Sequence, residues 1–181
     1  GQVLTSTGSG VGWEDAGSGG ASNVNGLSDA KTFGTSSIMI GDATTGTIDA
    51  ANYNTGLGVD IFAALTTGDN NTAIGFAALT ANTTGADNTA VGRLALTANT
   101  TAANNTAIGK NSLVANTTGA NNTAVGRGSL ASNTTAASNV GIGHSALSVN
   151  TTGASNVAVG ANALQANTTG TENTAVGKSA G

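Results

Sequence analysis

Residues 88–104, NTAVGRLALTANTTAAN, contain the pattern that decides the fold of this chain. The opening phrase, Asn-Thr-Ala-(Val/Ile)-Gly, recurs every 17 residues, and copies or close variants of it start at Asn71, Asn88, Asn105, Asn122, Asn139, Asn156 and Asn173. A fixed period of this kind indicates a repeat architecture, in which each small unit stacks on the next. We therefore predict an elongated rod, a shape more typical of structural and attachment proteins than of enzymes.

The composition argues against an ordinary globular domain. Only 3% of the 181 residues are aromatic, and the chain contains 28 glycines but no proline or cysteine. Large aliphatic and aromatic side chains normally build a compact core, and here they are too few. Low aromatic content also fits disorder. However, only 8% of the residues are charged, and aliphatic residues recur at fixed spacing, so a folded repeat is the better interpretation.

Charge and hydropathy bound the possible partners. Residues 1–70 hold seven acids and a single base, Lys31, whereas residues 71–181 hold Asp87, Glu172 and four bases. The formal net charge of −4 gives no reason to expect nucleic-acid binding. No apolar run is long enough to cross a bilayer, and no signal peptide is visible, so no membrane insertion is predicted.

Numbering the repeat from its leading Asn gives aligned positions that should become ladders in a stacked structure. Position 4 is aliphatic and is expected to fill the interior, as in Ile74, Val91, Ile108 and Val125. Position 5 is always Gly, and position 9 is Leu, as in Leu79, Leu96, Leu113 and Leu130. Position 12 is Asn, as in Asn82, Asn99, Asn116 and Asn133, and stacked Asn carboxamides can hydrogen-bond along the axis.

Each repeat is predicted to form two short strands and two turns. The Thr-Ala-Val-Gly segment alternates like a strand, and a second strand is expected around the position 9 Leu. The Asn-Thr-Thr-Gly segment is the main turn, because Asn and Gly tolerate left-handed backbone conformations. Stacked coils would pair parallel strands about 4.8 Å apart and give a rod about 40 Å long. The fold class is therefore all-β, a repeat solenoid with 17 residues per coil.

The frame divides the chain into three parts. Residues 37–70 form two atypical capping repeats, in which Phe62 replaces the Leu and Leu65 replaces the Asn. Residues 71–181 form the regular array of seven copies, the last truncated. Residues 1–36 are a junction with short strands near residues 3–4 and 11–13, followed by a Gly- and Ser-rich linker. Trp13 there is interpreted as a packing anchor, with a sugar-stacking platform as the alternative.

One coil supplies too little apolar surface for a stable monomer. It contributes one β-branched residue, one Leu and a few alanines, and folding entropy must be offset by burial. We therefore infer that the coils bury a second face against other copies. A homotrimer is the economical solution, since closed cyclic symmetry is common among homo-oligomers.

The repeat array resembles the head repeats of trimeric autotransporter adhesins. The matching motif is Asn-Thr-Ala-(Val/Ile)-Gly over residues 37–181, although the 17-residue repeat is longer than is usual there. The resemblance implies a left-handed parallel β-roll in a tightly packed homotrimer. The longer pattern, together with the opening GQVLTSTGSGVGWE, is similar to bacteriophage tail-fibre proteins.

No catalytic, metal or cofactor site is predicted. The one histidine, His144, stands at position 6, where neither a second His nor an acid accompanies it. Position 6 also holds most of the bases, and together they form a candidate surface-contact stripe: Arg93, Lys110, Arg127, His144 and Lys178. The stripe is interpreted as a solvated face that keeps the rod soluble. The alternative is a contact with host polysaccharide, lipopolysaccharide or an acidic neighbour.

These observations and the resemblance together predict a structural shaft and not an enzyme. The expected protein is part of a phage tail fibre on the virion, assembled with itself and with other tail or fibre proteins, and contributing to host attachment. The alternative is a trimeric adhesin on a bacterial surface. An ice-binding solenoid is a further alternative, because such proteins present regular Thr ladders. A polysaccharide depolymerase would need clustered carboxylates, which the repeats lack.

Overall fold

The described residues form two β-sheets. The structure is a computed structural model that describes the backbone of residues 2–6, 11–15, 30–33, 37–40 and 50–181, with side chains for 37–40 and 50–181. Strands β1 (Gln2–Ser6) and β2 (Val11–Asp15) pair antiparallel and contain the two short strands predicted in the junction. The predicted linker and the side chain of Trp13 lie outside the described residues.

The second sheet has ten strands in sequence order and runs the length of the repeat array. Strand β3 (Ala30–Phe33) pairs antiparallel with β4 (Ser37–Ile40), and every later pairing is parallel. The later strands are β5 (Thr55–Leu57), β6 (Thr72–Ile74), β7 (Thr89–Val91), β8 (Thr106–Ile108), β9 (Thr123–Val125), β10 (Val140–Ile142), β11 (Val157–Val159) and β12 (Thr174–Val176).

Each parallel strand lies in register with the equivalent residues of the next coil. Ile74 pairs with Val91 and Val91 with Ile108, so every rung joins residues 17 apart. This confirms the predicted β-solenoid and its period of 17 residues. The stacking follows from the sequence: equal coil lengths bring identical side chains into line, and each strand then finds a partner above and below.

The predicted second strand around the position 9 Leu is wrong, because that segment is a turn. Leu79 and Leu96 have φ angles of 51° and 49°, which no β-strand contains. The turn is nevertheless hydrogen-bonded between coils, since Leu79 N–H donates to the Ala95 carbonyl at 3.1 Å. Each coil from β5 onward therefore has one three-residue strand, and turns complete the circuit.

The core consists of Ala, Leu and Asn, and the prediction that Val and Ile fill it is wrong. In β6 the buried residue is Ala73, whereas Ile74 is exposed; in β7 Ala90 is buried and Val91 is half-buried. The position 9 leucines lie inside, with no exposed surface at Leu79, Leu96, Leu113, Leu130 and Leu147. The strand alternates as expected, but its small residue faces inward because only a methyl group fits beside the Leu of such a narrow coil.

The first coils carry larger core side chains and compensate for them. Phe62 and Leu65 are fully buried in place of the usual Leu and Asn, and Ile61 is buried beside them. Gly56 takes the inward place that Ala holds in most later coils, and a Cβ there would lie 2.5 Å from Ile61 Cδ1. The larger side chains of Ile61 and Phe62 are thus matched by the missing methyl group at Gly56, which keeps the packing dense.

Glycine at position 5 is required by both conformation and space. Gly109 has a φ angle of 133°, and a Cβ at this residue would lie 2.6 Å from the carbonyl oxygen of Gly126 on the next coil. Gly92 and Gly126 face their own next coils in the same way. The close approach of these backbones at each step explains why this position does not vary along the array.

Two ladders of buried Asn side chains run through the interior. At position 12, Asn99 Nδ2 donates to Asn82 Oδ1 at 2.9 Å and to the Ala102 carbonyl at 3.1 Å. At position 1, the backbone N–H of Asn88 donates to Asn71 Oδ1 at 3.0 Å, and its Nδ2 donates to the Ala102 carbonyl at 2.8 Å. Most of these carboxamides join one coil to the next and also close a turn within their own coil, whereas the buried Nδ2 of Asn139 has no hydrogen-bond partner.

Candidate functional site

The residues of position 6 form a column on the outside of the solenoid. We call Arg93, Lys110, Arg127, His144 and Lys178 the basic column; all five side chains are exposed. The first four stand on consecutive coils, about 4.8 Å apart along the axis. Ala161 occupies the next coil and separates His144 from Lys178. Four consecutive rungs therefore carry the continuous part of the column.

Neighbouring coils make contact along this column. The guanidinium carbon of Arg93 lies 5.8 Å from the centre of the Phe76 ring, which stands one coil earlier at the same position. Arg127 Nη1 lies 3.4 Å from His144 Nε2 on the following coil. Phe76 is itself exposed, so an aromatic ring stands one coil before Arg93, the first cation of the basic column.

Acidic side chains do not neutralise the basic column in the part of the chain that the structure describes. No ion pair joins Arg93, Lys110 or Arg127 to a carboxylate there. The acids of the regular array, Asp87 and Glu172, are exposed at position 17, which precedes the strand, whereas position 6 follows it. The column is consequently a line of like charges facing solvent, which attracts anions.

The outward face of the parallel sheet is a second feature of the surface. It presents position 2 of each coil, which is Thr or Val, and position 4, which is Val or Ile. At position 4, Ile74, Ile108 and Ile142 are 37%, 40% and 39% exposed. We call these two positions of β6–β11 the sheet face. It is a regular surface of β-branched side chains, of the kind that packs well against another element.

The paired threonines of the main turn have different environments. At position 13 the hydroxyl is used within the fold; for example, Thr83 Oγ1 donates to the Thr100 carbonyl at 3.0 Å. The following Thr at position 14 is exposed in each regular coil, and these residues are Thr84, Thr101, Thr118, Thr135, Thr152 and Thr169. A single uncharged Thr column therefore lines one edge of the solenoid.

Several candidate sites are limited by their surroundings. Asn82 and Asn116 belong to Asn-x-Thr sequons but are fully buried, so neither can accept a glycan in the folded chain. Among the residues that the structure describes, no three His, Asp or Glu side chains come together as a possible metal site. None of the described segments forms a helix of the length and apolarity that crossing a bilayer requires.

Sequence reasoning found the basic column but not the sheet face. The period-2 pattern marks both Ala and Val as apolar, and it does not say which of them points inward. The contact between Phe76 and Arg93 could have been expected, since both stand at position 6 in adjacent repeats. In comparisons with known proteins, no family model, no curated protein and no solved structure matches this chain.

Proposed function

We propose that this chain is a segment of a phage tail-fibre shaft, assembled as a homotrimer on the virion and contributing to host attachment. The continuous parallel stacking of β4 to β12 supports a load-bearing spacer, because each coil hydrogen-bonds to the next. The resemblance of the repeat to fibre and adhesin heads supports the same function. The partners would be two further copies of the chain and other tail or fibre proteins.

The uncovered sheet face is the observation that carries the trimer. Within one regular coil the interior receives alanines, a Leu and the ladder asparagines, while the Val or Ile of position 4 faces outward. Packing three such faces around a common axis would remove them from water, and each CH₂ group buried contributes about 0.8 kcal/mol. Cyclic symmetry lets identical faces meet in a closed assembly with their rungs in register.

The mass of the protein in solution tests the assembly. Light scattering after size exclusion should give three times the 17.1 kDa mass of one chain. The double variant V91T/V125T keeps β-branching but places hydroxyls on the sheet face, and it should weaken the trimer because buried hydroxyls lack partners. The matched control V114T/V149T makes the same change outside the sheet and should leave the mass unaltered. A wild-type monomer would overturn the trimer.

The location of the protein distinguishes a phage tail fibre from a bacterial surface adhesin. Antibodies raised against the array should label fibres on virions if the proposal is correct. Labelling of bacterial cells that carry no phage would instead favour the adhesin. A downstream membrane-anchoring domain in the same gene would favour the adhesin as well.

A second candidate, an ice-binding surface, would rest on the exposed Thr column. Thr84, Thr101 and Thr118 are exposed on successive coils and offer regularly spaced hydroxyl and methyl groups. At position 13, Thr83, Thr100 and Thr117 donate their hydroxyls to backbone carbonyls of the next coil. The exposed Thr surface is therefore one residue wide. Thermal hysteresis of the purified protein measures this activity directly, and none is expected.

A further inference from the structure

We propose that the continuous part of the basic column, together with Phe76, binds a linear acidic polysaccharide laid parallel to the solenoid axis. This inference deepens the attachment role proposed above and rests on it. The residues concerned are Phe76, Arg93, Lys110, Arg127 and His144, one from each of five consecutive coils. The chemical class of the ligand is a chain of uronic acids or other sugars that carry a regular negative charge.

The spacing of the column selects a linear polymer. The coil rise places one basic side chain about every 4.8 Å. A sugar residue in an extended chain advances by about the same distance, so consecutive sugars can meet consecutive coils. The side chains are exposed and no carboxylate among the described residues pairs with them. Regularly spaced cations that no carboxylate neutralises attract a regularly charged anion, and Arg can form a two-pronged contact with each carboxylate.

The aromatic ring at the start of the column selects a sugar over a bare polyanion. Phe76 is 46% exposed and already packs against the Arg93 guanidinium. An exposed aromatic ring can stack on the apolar face of a sugar, whereas a phosphate chain has no such face. A duplex nucleic acid is a poor fit, because its two phosphate rows require cations on more than one line.

Two variants with the same net charge separate the column from general electrostatics. R93Q/K110Q/R127Q removes three cations from the column, and N104E/N121E/S138E adds three acids at position 17 of the same three coils. Both change the formal net charge by −3 from −4. Position 17 tolerates acids, because Asp87 and Glu172 already stand there with the same backbone conformation.

Binding is measured by titration calorimetry at low salt, with polygalacturonate as the probe and an uncharged linear glucan for comparison. We expect the column variant to lose at least about tenfold in affinity, and the control less than about threefold. The affinity of the wild type should fall as salt rises, and less steeply in the column variant. Equal losses in the two variants, or no wild-type binding to polygalacturonate, would overturn the proposal.

A Phe76→Leu variant and an inorganic polyphosphate probe distinguish sugar recognition from charge alone. The variant should weaken binding to polygalacturonate and leave binding to polyphosphate unchanged. If Phe76→Leu has no effect on either probe, the column binds any polyanion and the sugar assignment is wrong. If the wild type instead self-associates at low salt and ignores both probes, the column contacts the acidic residues 1–70 of another copy, which also overturns the proposal.

The mass of each sample, measured in parallel, separates this inference from the shaft proposal. A trimer that does not bind polygalacturonate would reject the inference and leave the shaft intact. A monomer that binds polygalacturonate with the expected variant effects would reject the trimeric shaft and support the column as a binding site.

Discussion

Four positions of each regular coil (5, 7, 9 and 17) have positive φ angles, and the reasons at positions 5 and 9 differ. The position 5 glycines have positive φ angles and touch the backbone of the next coil, as Gly109 does at Gly126. The position 9 leucines also have positive φ, at a cost of about 1–2 kcal/mol each. Full burial of a Leu side chain contributes about 1.5–3 kcal/mol, which offsets that cost. The conformation of the Leu is therefore set by the core and not by local preference.

Gly109→Ala should destabilise the protein by about 2–5 kcal/mol, because it adds both left-handed strain and a clash with backbone atoms. Gly141→Ala is the matched control. Its Cβ would lie 2.5 Å from Ser129 Oγ, a hydroxyl that can rotate, and the φ angle of Gly141 is not in the left-handed region. In the preceding coil the equivalent Ser112 already turns its hydroxyl to the Gly109 carbonyl.

We therefore expect Gly141→Ala to change stability by less than about 1 kcal/mol. Urea denaturation followed by circular dichroism compares the two variants. Similar midpoints for Gly109→Ala and Gly141→Ala would contradict the assignment of the position 5 contacts as rigid.

At the scale of the element, the Asn ladders hold neighbouring coils together through buried hydrogen bonds, a stabilisation that a larger apolar core provides in other proteins. Asn116 receives a bond from Asn133 and gives one to Asn99 and one to the Gly119 carbonyl. Such a network is stable only while each member keeps its partners, since an orphaned buried polar group costs about 1–3 kcal/mol. Leu65 stands at the same position in an early coil, so an apolar side chain of this size also fits there.

Asn116→Leu should destabilise the protein more than Asn82→Leu. The first change interrupts the ladder and leaves Asn99 Oδ1 and the Gly119 carbonyl without their donors, at a cost of about 2–5 kcal/mol. The second extends the Leu65 cap by one coil, and the Gly85 carbonyl still accepts from Asn71 Nδ2 at 2.9 Å. Thermal melting of both variants gives the comparison, and a larger loss for Asn82→Leu would show that the ladder does not act as a connected unit.

The sequence allowed the period, the parallel stacking and the start of the ladder near Ser37 to be predicted, because a strict repeat forces equal residues into line. It did not allow the inward and outward faces to be assigned. Ala73 and Ile74 are adjacent apolar residues, and only the space left by Leu79 decides that the smaller one is buried. Nor could it predict the left-handed leucines, since tertiary packing overrides the local preference there.

The turns that replace the predicted second strand have a similar cause. Thr80 and Thr97 look like strand residues by composition, but each hydroxyl donates to a carbonyl 20 residues earlier, at 2.6 Å. These bonds hold the chain in a tight corner. The basic column was predictable from the repeat alone, since it needs only a shared position and an exposed side; the contact of Arg93 with Phe76 adds detail that the structure supplies.

At the scale of the whole molecule, stability is a sum of coils and of the contacts between neighbours. Deleting one complete coil, residues 105–121, should therefore leave a folded protein that is shorter by about 4.8 Å. The junction then joins Asn104 to Asn122, which preserves the frame. We expect a cooperative melt and an unchanged circular dichroism spectrum per residue.

Deletion of residues 105–122, one residue more, is the control. It shifts every later residue by one place, so buried and exposed positions of the following coils no longer align with the preceding ones. This variant should aggregate or melt without cooperativity. Equal stability of the two deletions would contradict a solenoid whose coils depend on strict register.

The hydrogen bonds between coils point along the axis, and the three-residue strands lie across it. Tension applied to the two ends of one chain would thus pull the coils apart one after another. The hydrogen bonds of only one rung would resist the force at each step. Three chains bound side by side would have to open their rungs together, so strength under pull would come from the number of strands sharing the load.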